Sequence, residues 1–236
     1  MPSVDLFTLS WTALRNAAAE LPDAALDRPS GCRGWLVRDL LCHLVLGAQD
    51  VLVTLATPAE AAPTADAPSF WTPRPLPPDG RSHDPRHALT VRLAAAYGDP
   101  ALLRGHLEDV GAAAGRAALL AHPDLPVSTQ GRTLTVRDYL SAHVLEWTLH
   151  HLDLIAHSGP AGGTAGDGES VAGPPAESLA ASRDMVERRL RLRLPEAWTD
   201  ADALRIATGR RPATEAEQAE LEALGPRGQM LPLSFG

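Results

Sequence analysis

The stretch His143-Val144-Leu145-Glu146-Trp147-Thr148-Leu149-His150-His151-Leu152-Asp153-Leu154 decides how this chain is read. His143, Glu146, His150 and Asp153, with His157 beyond them, recur every three or four residues. At helical periodicity they form one stripe about 80° wide. Val136, Trp147 and Leu154 border that stripe, so its polar groups belong to an apolar face rather than a solvated one. An ionised Glu146 on such a face is strongly unfavourable without a partner. Two readings follow: a cation at the carboxylate, or a buried polar network.

Glu146 and His150 are one turn apart, as two ligands on one helix must be to reach the same ion. A third ligand has to come from another helix, and His43 is the candidate. Its side of the helix carries Leu36, Leu40 and Gly47, and Gly47 one turn on is expected to leave room for an approaching ligand. Asp50 lies two turns along, too far to share the ion. Two histidines and one carboxylate with open positions form a catalytic rather than a structural ligand set. Zinc is the expected divalent metal, although iron uses the same ligand types. His143 and Asp153 are read as supporting groups, Asp153 by orienting a ligand imidazole. His157 is read as a partner of the helix C-terminal dipole.

The chain as a whole reads as mainly α. Helices are expected from about Asp5 to Glu20, from Leu36 to Ala56, from Arg86 to Ala121 with a break at Gly98-Asp99-Pro100, and from just after Thr135 to about His157. Thr135 supplies the N-terminal cap of the last of these. Val127 to Thr133 reads as a short hairpin. Residues 58–85 hold eight prolines and exclude one regular element; they form either a cover over the site or a disordered insertion. Residues 158–175, with six glycines and three prolines, read as a linker between a four-helix bundle over 1–157 and a small α(+β) segment over 176–236. In that segment a helix is expected over Ala176–Leu194, followed by an irregular arginine-containing tail. Two helices open alike, Val37-Arg38-Asp39-Leu40-Leu41 and Val136-Arg137-Asp138-Tyr139-Leu140.

Composition narrows the function. With 236 residues the chain needs neither disulfide nor metal merely to fold. Its two cysteines, Cys32 and Cys42, exclude a disulfide framework and a four-cysteine zinc site, and both read as inert thiols. The formal net charge is −8 and all 21 basic residues are arginine, which argues against a nucleic-acid partner. No secretory leader or membrane span is legible, so a cytoplasmic protein, monomer or homodimer, is expected. Leu145, Leu149 and Leu152 on the outer side of the fourth helix must be covered, by the C-terminal segment or by a partner.

Two segments, Gly34-Trp35-Leu36-Val37-Arg38-Asp39-Leu40-Leu41-Cys42-His43-Leu44 and His143 to Leu154, resemble the mycothiol-dependent maleylpyruvate isomerase family, whose fold is the DinB-like metal-binding four-helix bundle. Leu204-Arg205-Ile206-Ala207-Thr208-Gly209-Arg210-Arg211-Pro212 resembles the C-terminal portion of actinobacterial members. The resemblance implies a divalent metal, usually zinc, on His43, Glu146 and His150. It also implies mycothiol as cosubstrate and a small electrophile as substrate, in an S-transferase or isomerase; it does not imply maleylpyruvate itself. Leu36 stands where family members usually carry Thr or Ser, which removes a hydroxyl cap from the second helix. Arg210 or Arg211 is expected to hold a substrate carboxylate. A non-catalytic metal- or ligand-binding bundle and a metal-assisted hydrolase are the alternatives.

Overall fold

The computed structural model describes residues 2–76, 85–156 and 171–235. His157, residues 77–84 of the proline-rich segment and 158–170 of the glycine-rich stretch lie outside the described residues.

Four long helices make the bundle: α1 (Ser3–Glu20), α2 (Val37–Leu55), α5 (Pro100–Leu120) and α6 (Val136–Ile155). Between α2 and α5 come the short α3 (Ala67–Phe70), the strand β1 (Arg74–Pro75) and α4 (Pro85–Tyr97). The break at Gly98 is real: Gly98 has φ 66°, and Asp99 caps α5 by accepting from the Ala101 N–H at 2.8 Å. Helix α1 packs on α6 and α5, and α2 packs on α5, α4 and α6. The core runs along these seams. Trp147 of α6 lies against Trp11 of α1, ring centroids 4.4 Å apart, and the Trp11 Nε1–H donates to the Gly111 carbonyl of α5 at 2.8 Å.

The two similar openings are two helix starts. Thr135 accepts from the Asp138 N–H at 3.1 Å. Leu36 offers no side-chain oxygen, yet the Asp39 carboxylate accepts the Leu36 N–H at 2.8 Å. An aspartate in the first turn thus serves the half of the cap that a leucine cannot impair. The hairpin is β2 (Pro126–Thr129) paired antiparallel with β3 (Arg132–Thr135). Its turn residues Gln130 and Gly131 both have positive φ, 49° and 73°, which matches the twist of the strands.

The described part of the proline-rich segment is a cover. Thr64 and Ala65 donate backbone N–H groups to the Thr133 carbonyl. The Trp71 Nε1–H donates to the Ala142 carbonyl of α6 at 2.9 Å. Phe70 and Trp71 stand about 6 Å from the His143 ring.

Beyond the bundle, α7 (Ala176–Leu190) packs on α6 and α1. It stops short of the expected Leu194, because Arg191 turns left-handed (φ 51°) and the Glu187 carboxylate takes the Leu194 N–H. The expected irregular tail is instead structured as α8 (Asp200–Ala207), α9 (Glu215–Ala223), α10 (Pro226–Gln229) and β4 (Leu233–Ser234), which pairs with β1. Thr199 and Thr214 cap α8 and α9 through Thr-x-x-acid spacings that were present in the sequence. Leu145, Leu149 and Leu152 are buried within the single chain. No helix among the described residues is long and apolar enough to cross a membrane.

Candidate metal centre

The site lies between α2 and α6. Helical spacing sets Glu146 and His150 one turn apart on α6, and α2 brings His43 across to them. The His43 Nε2 is 3.3 Å from the Glu146 Oε1, and the His150 Nε2 is 4.0 Å from the same oxygen. Donor atoms of the three residues all lie within 4.8 Å of one another. The two imidazoles meet edge to face, centroids 4.8 Å apart. His143 adds its Nε2 at 3.6 Å from the other Glu146 oxygen, and its Nδ1 sits 3.0 Å from the Tyr139 carbonyl.

Glu146 therefore faces imidazoles, and its ion-pair partners among the described residues are all histidines. Burial alone would raise its carboxyl; the His43 hydrogen bond and the neighbouring His143, His43 and His150 outweigh that and hold it at about 2. Burial pushes His150 below its ordinary value, against the pull of Asp153, so at neutral pH its ring offers a lone pair. An anionic oxygen and imidazole nitrogens converging from two helices, with no fixed arginine among them, are the donor chemistry of a divalent cation. The residues present fit such an ion.

The acidic side of the pH range tests this electrostatic arrangement. His150 and His151 both have pKa values depressed below 6.5, His151 through burial. The unfolded chain then binds protons that the folded one refuses, so stability is lost as pH falls through about 6.5. Glu146, at about 2, and Asp153, also depressed, contribute stability present above about 4 and lost below it. The melting temperature of metal-free protein is expected to drop by a few degrees from pH 7 to 5, and more steeply below pH 4. A flat profile over both windows would contradict the assignment.

Behind His150 stands a second cluster. The His150 Nδ1 is 3.2 Å from the Asp153 Oδ2. Asp153 is 1% exposed and receives Arg210 through two parallel bonds, Nε to Oδ1 at 2.9 Å and a terminal nitrogen to Oδ2 at 2.8 Å. The Cys32 thiol also donates to the Asp153 Oδ2, at 3.1 Å, and its sulfur is 3.6 Å from the His150 Nδ1. Burial, then the charge of Asp153, push the Cys32 thiol well up, with Arg210 opposing, so it stays protonated. Cys32 reaches this place because the Gly31 N–H donates to the Asp153 carbonyl at 2.8 Å; a Cβ on Gly31 would lie 2.7 Å from the Asp153 Cα. Nothing in the local sequence around Cys32 announced the contact.

Two expectations meet a different arrangement. Gly47 does not leave room for a ligand: a Cβ there would lie 2.9 Å from the Trp147 ring, so the space belongs to the indole. Gly47→Ala is expected to cost about 1–3 kcal/mol in denaturant unfolding, because Trp147 is wedged against Trp11 and cannot withdraw. An unchanged midpoint would show that the indole is free to move. The expected carboxylate-binding arginines are already engaged. Arg210 is on Asp153, and Arg211 forms paired bonds of 2.8 Å to Glu217 and reaches Asp202.

A cavity of about 440 Å³ shares a wall with the centre. Cys32, Arg33, Trp35, Gly209, Arg210 and Pro212 line it. His43, Glu146 and His150 do not line it, but Trp35 does, and its ring lies 5.1 Å from the ring of His43 and 4.4 Å from that of His87.

A family model described as the mycothiol maleylpyruvate isomerase N-terminal domain matches residues 7–155. No curated protein and no solved structure matches the chain.

Proposed function

Because the chain belongs to the mycothiol maleylpyruvate isomerase N-terminal domain family, we propose that it holds a divalent cation, zinc above others, on His43, Glu146 and His150, and catalyses thiol-dependent S-transfer or isomerisation of a small electrophile with mycothiol as cosubstrate. The observation that carries the reading is the half-buried Glu146 carboxylate, 15% exposed, converging with imidazoles from two helices and lacking any arginine partner among the described residues. When bound, the ion supplies a positive charge that deprotonates a coordinated thiol, and the thiolate is the reactive form.

The chain's own residues prepare the place. Glu146, held at about 2, is ionised at neutral pH, so one ligand is anionic without a proton being removed first. Asp153, itself fixed by Arg210, accepts from the His150 Nδ1 and leaves the Nε2 turned to Glu146. The cover segment with Phe70 and Trp71 packs beside the buried His143 imidazole, and Trp35 flanks the ring of the partly exposed His43. The cavity beside Cys32 offers the organic reactants a bay in which Arg33 is the arginine that no described acid engages at short range.

The experiment is consumption of a panel of small electrophiles by the zinc-loaded protein, with and without mycothiol. The proposal predicts turnover that requires the thiol and is lost in Glu146→Gln. Turnover of esters or amides without thiol would favour hydrolysis instead, and no turnover by fully loaded protein would favour a binding role.

A further inference from the structure

His150 stands between two donor sets. Its Nε2 faces His43 and Glu146, and its Nδ1 faces Cys32 and Asp153. The second set is itself competent for a metal: a sulfur, an imidazole nitrogen and a carboxylate oxygen lie within 4.8 Å of one another. Asp153 is its anion, and the main chain at Gly31 is drawn so close to α6 that only glycine fits, which delivers Cys32 to the cluster. What the set holds is the guanidinium of Arg210, on both oxygens of Asp153. A guanidinium carries a fixed positive charge and five donors but no acceptor. It matches a carboxylate in two-pronged geometry and offers nothing to a metal. Arg210 comes from the turn after α8, 57 residues along the chain from Asp153, and it also lines the 440 Å³ cavity from which an ion would enter.

We propose that Arg210 is the resident cation of the Cys32–His150–Asp153 set, and that by filling it Arg210 keeps the centre mononuclear and commits His150 to bind through Nε2. Arg210 is thus a positioning residue: it acts on the metal centre through Asp153 and His150. Without it, Asp153 would be a buried anion with no cation of its own, and a divalent ion would take the vacancy. Binding there releases the Cys32 thiol proton to solvent, and the His150 Nδ1 proton as well when that nitrogen coordinates. The sulfur donor makes this second position selective for thiophilic ions such as Co²⁺, Zn²⁺ and Cd²⁺.

The inference rests on the His43–Glu146–His150 reading, and the experiment separates the two. Metal content and thiolate-to-metal absorption are measured for wild type, Arg210→Gln, Arg210→Lys and Arg210→Gln/Cys32→Ser after loading with Co²⁺. Wild type is expected to hold one equivalent with no thiolate absorption. Arg210→Gln is expected to hold two, with the absorption present; the added Cys32→Ser change removes both the second equivalent and the band. Arg210→Lys, which keeps a cation, stays at one. A folded Arg210→Gln protein holding one equivalent without the band overturns the inference and leaves the centre intact. Wild type holding no metal overturns the centre and the inference together. Excess Cd²⁺ on wild type needs no variant to fold: absence of a thiolate–cadmium band supports the closed second set. A band that disappears in Cys32→Ser overturns it.

Discussion

Glu146→Gln is expected to abolish stoichiometric metal binding. The amide keeps the shape of the side chain but removes the one anionic donor among the three, so the loss should exceed the about 10–100-fold typical of changing an outer partner of a metal ligand. The folded protein should survive the change. Three imidazole nitrogens stand within 4.0 Å of the carboxylate in the wild-type chain, and an amide oxygen can accept from at least one of them. Equilibrium dialysis against Zn²⁺ measures the affinity, and far-ultraviolet circular dichroism checks the fold. Retention of one equivalent at wild-type affinity would mean that the ion, if one binds, sits elsewhere.

The second large effect belongs to the Asp153–Arg210 pair. Removing Arg210 strands a carboxylate that is 1% exposed, whereas removing Asp153 strands a guanidinium that is 18% exposed and nearer water. Breaking a buried pair from one side costs about 3–5 kcal/mol, and the cost falls mainly on the more deeply buried partner. Arg210→Met should therefore destabilise metal-free protein by about that amount, Asp153→Asn by distinctly less, and the double variant by less than Arg210→Met alone. Urea unfolding without metal gives all three numbers. Asp153→Asn should also lower zinc affinity about 10–100-fold, because the His150 Nδ1 loses its anionic acceptor. Equal costs for the two single variants would contradict the burial asymmetry on which the argument stands.

The bundle was legible because its signals are local. Apolar residues three and four apart, Thr135 before a helix and Pro100 after a glycine break each act within a few residues, and α1, α2, α5 and α6 follow them closely. The alignment of His143, Glu146, His150 and Asp153 was legible for the same reason, since one helix fixes their spacing. The match of the family model to residues 7–155 agrees with the family resemblance read from the sequence.

What escaped is non-local. Periodicity placed Gly47 beside His43 but could not say that Trp147, from the facing helix, fills the gap. Cys32 looked inert within its own turn; its contact with Asp153, 121 residues away, depends on how the loop before α2 docks against α6. Arg210 has the chemistry to hold a substrate carboxylate, yet the fold sets it on the carboxylate of Asp153. The tail is a different case: Thr199 with Asp202 and Thr214 with Glu217 are local cap signals of the same kind as Thr135 with Asp138.

Anomalous diffraction from a crystal of the wild-type protein loaded with Zn²⁺ locates the ion. One strong peak per chain is expected between α2 and α6, about 2.0–2.2 Å from a ring nitrogen of His43, a carboxylate oxygen of Glu146 and the Nε2 of His150. A peak held instead by Cys32 and Asp153, or full loading in solution with no peak at His43, would contradict it.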